Sequence, residues 1–163
     1  MNRNSTYRLA QASVTAALYI VLTIVSSAMG LASGAVQVRL SEALTVLPCF
    51  IPSAVPGLFV GCLLSNLITG CSILDVVFGS LGTLVAAFAT YLLKSKRYLA
   101  SIPPVIVNMI IVPLLLKFAY GLNESVWYLV LTVGIGEFIS AGVLGQLLYS
   151  FINKHPGILK KGN

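Results

Sequence analysis

The sequence predicts an all-α integral membrane protein, a six-transmembrane-helix bundle with both termini cytoplasmic. Three observations predict it. Of 163 residues, 58% are hydrophobic and only 9% charged, where a soluble domain carries about 25% charged residues. Long apolar runs, Leu9–Ala32, Ala43–Leu67, Leu74–Leu93, Leu99–Gly121 and Ser125–Ile152, approach the length that crosses a hydrocarbon core of about 30 Å. Finally, most Lys and Arg fall in three clusters at the ends of those runs: Arg3 and Arg8; Lys94, Lys96 and Arg97; Lys154, Lys160 and Lys161. A β-barrel would need alternating ten-residue strands, and none is present. The chain, 1–163, reads as a single membrane domain.

The first run is too long for the apolar core of a signal peptide, and others follow it, so it reads as a first span over 9–32. Ala12 and Ala16 lie near its cytoplasmic end. Small residues one turn apart let another helix approach closely.

The stretch Val38–Asn66, VRLSEALTVLPCFIPSAVPGLFVGCLLSN, carries Pro48, Pro52 and Pro56 at intervals of four. A single straight helix would lose backbone hydrogen bonds at each, and lipid supplies no water to replace them. Charge leads to the same break. If all three basic clusters face the cytoplasm, an even number of crossings separates each pair. The run at 9–32 and the run at 74–93 already supply two between the first and second clusters. The intervening region must therefore return to the side it left. Two helices, 41–50 and 53–69, joined near Pro52, satisfy both demands. At 1.5 Å per residue the first is only about 15 Å long.

The remaining helices are expected at 74–93, 100–120 and 126–152. Asp75 opens the first of these, where it either caps the helix or faces a ligand. Glu137, in the last, lies roughly 17 Å from the outer end. With this orientation Glu42, Asp75 and Glu124 reach the outer face, as do the remaining cations Arg39 and Lys117.

Glu137 is the main candidate for a binding residue. A mid-membrane carboxylate costs about 2.5–3.5 kcal/mol on insertion scales, so it faces a cavity or a partner; a packing ion pair is the competing role. Gly134 and Gly136 beside it permit close approach of a ligand or a helix. Arg39 and Glu42, three apart, are neighbours on a helical turn and form either an interfacial salt bridge, a ligand contact or a gate. Asn66 and Asn108 are amides within apolar helices, suited to interhelical bonds or to a ligand. Tyr120, Trp127 and Tyr128 read as interfacial belt residues, and Lys117 as a snorkelling cation near Glu124.

Several functions are disfavoured. Cys49, Cys62 and Cys71 have no CxxC spacing and no nearby histidine, so they read as packing residues, and no metal site is expected. No P-loop, HExxH or GxSxG motif occurs, so no catalytic residues are assigned and uphill transport would draw on a partner ATPase or an ion gradient. The net charge of +6 follows from basic span ends and does not call for nucleic acid.

The blocks VRLSEALTVLPCFIPSAVPGLFVGCLLSNLITG, LDVVFGSLGTLVAAFATYLL, PPVIVNMIIV and VGIGEF, in that order, resemble the queuosine precursor transporter (QueT) family. Members are S components of energy-coupling factor (ECF) transporters. The resemblance runs from about Leu9 to Ile152. It implies a six-helix, ligand-binding subunit of a bacterial plasma membrane that docks on a transmembrane coupling subunit with two cytoplasmic ATPases. Those partners use ATP, and the chain itself needs no cofactor. The resemblance places Ala12 and Ala16 at the docking interface. The implied ligand is a 7-deazaguanine base such as 7-aminomethyl-7-deazaguanine, or queuine. One carboxylate matches the adjacent N–H and amino groups of a guanine-like edge, and Asn66, Asn108 or Arg39 can donate to its carbonyl. Glu137 would take that edge, with Glu42 or Asp75 near a cationic arm; the sequence leaves open which acid meets which group. Two other classes compete: a stand-alone secondary transporter with Glu137 as proton-coupling group, and a membrane-embedded enzyme using Glu137 and Asp75 as acid and base.

Overall fold

A computed structural model describes residues 3–32, 36–155 and 157. Six helices follow in order: α1 Arg3–Ala28, α2 Leu40–Cys49, α3 Ala54–Ile68, α4 Asp75–Leu92, α5 Ile102–Phe118 and α6 Val126–Lys154. A short turn, Arg97–Leu99, precedes α5. No strand occurs among the described residues.

The solvent order is inverted relative to a soluble domain. Large apolar side chains cover the outside, such as Val14, Val85, Ile110, Leu131 and Phe138, while Ser26, Ser41, Thr45, Ser65, Asn66, Ser80 and Thr90 are buried. Hydroxyl groups are satisfied within the chain, as where Ser80 bonds the Val76 carbonyl and Thr83 that of Gly79. Lipid cannot do this for them.

Among the described residues, only α1, α4 and α6 are long and apolar enough to cross a membrane by length and composition; the sequence predicts six spans. At 10, 15 and 17 residues, α2, α3 and α5 are shorter. Prolines explain the first two. Pro48 sits in the last turn of α2, Pro52 in the link, and Pro56 in the first turn of α3, where a helical N–H has no partner in any case.

Helix α2 also departs from the expected 15 Å α-helix, because it winds as a 3₁₀ helix over all ten residues. At about 2.0 Å per residue it reaches about 20 Å. So long a 3₁₀ run survives because it is the buried centre of the bundle, touching α1, α3, α4 and α6. Seven of its ten residues are buried.

Helix packing follows small residues. A Cβ on Gly57 would lie 2.6 Å from the Ala12 carbonyl oxygen, and one on Gly61 2.8 Å from the Tyr19 Cβ. The Gly57/Gly61 step of α3 therefore sits directly on the Ala12/Ala16 step of α1. Both helices end on glycine: Gly30 and Gly70 adopt φ of 70° and 73°, and Leu31 and Cys71 bond back to the carbonyls of Ser26 and Asn66.

Successive helices run antiparallel. At one end, Ser53 bonds Gln11, Thr90 bonds the Ala100 carbonyl, and Gln146 bonds Ser101. Arg8, Lys94, Lys96 and Lys154 belong to this basic end, with the backbones of Arg3 and Arg97; Lys160 and Lys161 lie outside the described residues. At the other end, Leu40 bonds Ser26 and Ser72 bonds Tyr120. Among the described residues, the basic clusters thus gather at one end.

Candidate ligand-binding site

Below the second end lies a polar cavity in two parts. The outer part, about 350 Å³, is lined by Arg39, Asn66, Asp75 and Tyr120 among others. The inner part, about 20 Å³, is walled by Glu42, Cys62, Asn108 and Glu137. Gln37, Arg39, Asp75 and Val112 line both. All six candidate residues, Arg39, Glu42, Asn66, Asp75, Asn108 and Glu137, therefore meet around one cavity. They come from five helices and the approach to α2.

Two irregular turns present the acids. The first turn of α4, Asp75–Gly79, and a turn within α6, Phe138–Leu144, are π-wound. Such bulges insert a residue and re-aim the side chains around them. Asp75 opens the first and Glu137 immediately precedes the second. Gly79 makes room for Asp75, since a Cβ there would lie 2.7 Å from its Oδ1. Asp75 is not the cap of α4. Ser72 fills that role, its Oγ accepting from the Asp75 N–H at 3.2 Å, so the carboxylate is not spent on capping.

Gly136 serves the chain itself. A Cβ there would overlap the Gln37 carbonyl, so the segment entering α2 lies directly on α6. Arg39 N–H donates to Ser140 Oγ at 3.1 Å, which fixes that segment. Gly134 faces Met109.

The two inner carboxylates have unequal surroundings. Tyr19, fully buried in α1, donates its hydroxyl to Glu42 Oε1 at 2.5 Å. Asn108 stands within reach of both Glu42 and Glu137. Glu137 Oε2 is buried with no hydrogen-bond partner among the described residues. Burying such an atom unpaired is costly, and this makes it the clearest mark of a binding group. The Arg39 guanidinium feels the carboxylates of Asp75 and Glu42 electrostatically.

Three aromatic or polar residues join the site beyond those picked from sequence. Tyr19 orients Glu42. Tyr120 is a site residue as well as a boundary aromatic: its hydroxyl donates to Asp75 Oδ2 at 3.0 Å and accepts from the Ser72 N–H at 3.1 Å. Burial, then the Asp75 charge, pushes the phenol up to about 12, so it stays a neutral donor. Gln37 lines both parts of the cavity. Cys62 is packed in the inner wall, receiving the Thr83 hydroxyl at 3.3 Å. Lys117 meets the backbone carbonyl of Glu124, at 3.1 Å. Trp127 and Tyr128 are exposed, in keeping with a belt. No His/Cys/Asp/Glu group arranged to hold a metal occurs among the described residues.

A larger concavity, about 1020 Å³, opens at the basic end between α1 and α3. Ala12, Ala16 and Gly57 are among its walls, with Tyr7, Arg8 and Tyr91 around them.

The apolar outer surface of the bundle defines a helical membrane protein, with a charged, ligand-sized cavity inside it. Residues 9–154 match the QueT transporter family, and the chain belongs to it. A curated relative, the queuosine precursor transporter QueT of Lactococcus lactis subsp. cremoris (strain MG1363), is 32% identical over 85 residues. The match covers 52% of this chain and about half, 50%, of that relative. No solved structure matches significantly.

Proposed function

We propose that the chain is the substrate-binding S component of an ECF-type, ATP-driven importer that takes up a queuosine precursor. The ligand is a 7-deazaguanine base, 7-aminomethyl-7-deazaguanine or queuine. The observation that carries this reading is the gathering of half-buried Arg39 with buried Glu42, Asn66, Asp75, Asn108 and Glu137 around one two-part cavity. Its three carboxylates, two amides and one guanidinium suit a flat, hydrogen-bonding base with a cationic substituent. Family membership and the name of the Lactococcus relative point the same way.

In this reading the chain crosses a bacterial plasma membrane six times. Helices α2 and α3 form the returning pair, the basic end and both termini are cytoplasmic, and the cavity opens outside. Helix α2 needs no full-length span because protein, not lipid, surrounds it. The groove beside Ala12 and Ala16 receives a transmembrane coupling subunit, which carries two ATPases. The chain binds and releases, and catalyses nothing.

Mass spectrometry of small molecules released from the purified protein tests the ligand. A 7-deazaguanine is expected, and a ligand without a guanine-like edge would overturn the assignment. The bare oxygen of Glu137 also favours a second reading, a proton-coupled transporter working alone. Uptake that persists in cells lacking the coupling subunit and ATPases would establish the second reading; its loss supports the first.

A further inference from the structure

The two parts of the cavity differ too much in size to hold the same piece of a ligand. At about 350 Å³, the outer part falls in the range of small-molecule pockets. The inner part, about 20 Å³, exceeds only modestly the 10–15 Å³ that admits one water. A bicyclic base cannot enter it, whereas a single ammonium group, similar in size to water, can.

Its walls suit a cation. Glu42, Glu137 and Asp75 line it against a single cation, Arg39, and the other titratable wall residue is Cys62. Tyr19, from α1, donates to Glu42 and so turns no hydrogen toward a cation. Tyr120 is engaged with Asp75 at the outer part. Glu137 is 7% exposed, and its Oε2 is the acceptor left without a donor. An ammonium brings three donors and no acceptor, which is what the bare Glu137 oxygen lacks.

From this geometry we infer that the inner chamber is a primary-ammonium subsite: the ligand enters amine first, its charged arm resting between Glu137 and Glu42, while its ring system stays in the outer cavity among Arg39, Asn66, Asp75 and Tyr120. This rests on the ligand being a 7-deazaguanine, and it reverses the simplest assignment, in which Glu137 takes the base edge. Asp75, at the junction, is then the carboxylate placed for the guanine-like edge. The blind chamber also sets specificity. A primary aminomethyl arm fits, and the same nitrogen carrying queuine's cyclopentene ring does not.

Titration of the purified wild-type protein with three ligands tests this without any substitution. 7-Aminomethyl-7-deazaguanine should bind at least about tenfold more tightly than 7-methyl-7-deazaguanine, which lacks the amine, and more tightly than queuine, because one charge-assisted contact is worth about that much. Glu137→Gln should erase the preference for the amine, bringing 7-aminomethyl-7-deazaguanine down to the affinity of 7-methyl-7-deazaguanine. Equal affinity for the amine and methyl ligands, or tighter binding of queuine, overturns the subsite but leaves the proposed function standing. An equal loss of both ligands in Glu137→Gln also overturns it, by putting Glu137 at the ring. Failure to bind any of the three removes the 7-deazaguanine reading itself.

Discussion

Tyr19 is the residue on which the asymmetry of the inner acids depends. Its hydroxyl is directed at Glu42 Oε1 from inside a fully buried ring. Tyr19→Phe keeps the ring and its packing and removes only the donor. The expected result is an affinity loss of roughly tenfold for the ligand, with a lower melting temperature, because a buried carboxylate loses a partner worth about 1–3 kcal/mol. Calorimetric titration and a thermal melt in detergent check it; unchanged affinity would show that Glu42 is held by other groups. Tyr19 was missed in the sequence, where the signal for it was its position and not its chemistry. Ala12, Ala16, Tyr19, Thr23 and Ser26 recur at steps of four and three and so share one face of α1. A lone tyrosine in an apolar run still says nothing about its partner. The Glu42 contact spans 23 residues and depends on how α2 winds. The acids and amides were easier to find, because polar side chains in apolar helices are costly wherever they lie. Which of them would be left without a donor is a property of the assembled cavity alone.

Among the helices, α1 and α3 form the tightest pair, and the prediction for them concerns backbone approach. Gly61 lies on Ala16 and Tyr19, and Gly57 on Ala12 and Thr15. Gly61→Leu must push the helices apart, at a cost of about 1–3 kcal/mol for overpacking, and because Tyr19 moves with α1 it should also weaken ligand binding. Val60→Ala is the control, since Val60 is exposed at 42% and its truncation should leave both melting and affinity near wild type. Comparable losses in the two variants would mean that the small-residue seam is not what holds these helices. Sequence placed the ends of the six helices to within a few residues, apart from the start of α1, because glycines, prolines and basic clusters mark them. It missed the winding. The 3₁₀ course of α2 and the π turns at Asp75 and Phe138 arise from packing against neighbours, and periodicity in a uniformly apolar segment does not reveal them.

For the molecule as a whole, the decisive property is the separation of charge between its ends. Arg8, Lys94, Lys96 and Lys154 lie at one end, and Arg39, Asp75 and Glu124 toward the other, where the cavity opens. For the proposed importer, retention of positive loops on the cytoplasmic side predicts which end faces out, and with it the direction of uptake. A labelling experiment reads this directly. In a background with Cys49, Cys62 and Cys71 replaced by Ser or Ala, single cysteines are placed at Lys96, in the link between α4 and α5, and at Glu124, in the link between α5 and α6. Both links are exposed at these residues, so neither substitution disturbs packing. A membrane-impermeant maleimide applied to intact cells should modify Glu124→Cys and spare Lys96→Cys until the membrane is opened. The reverse pattern would put the cavity on the cytoplasmic side and turn the proposed importer into a protein that loads from within. Modification of both in intact cells would mean that α5 does not cross the bilayer. At 17 residues it is about 25 Å long, and the experiment decides whether that suffices.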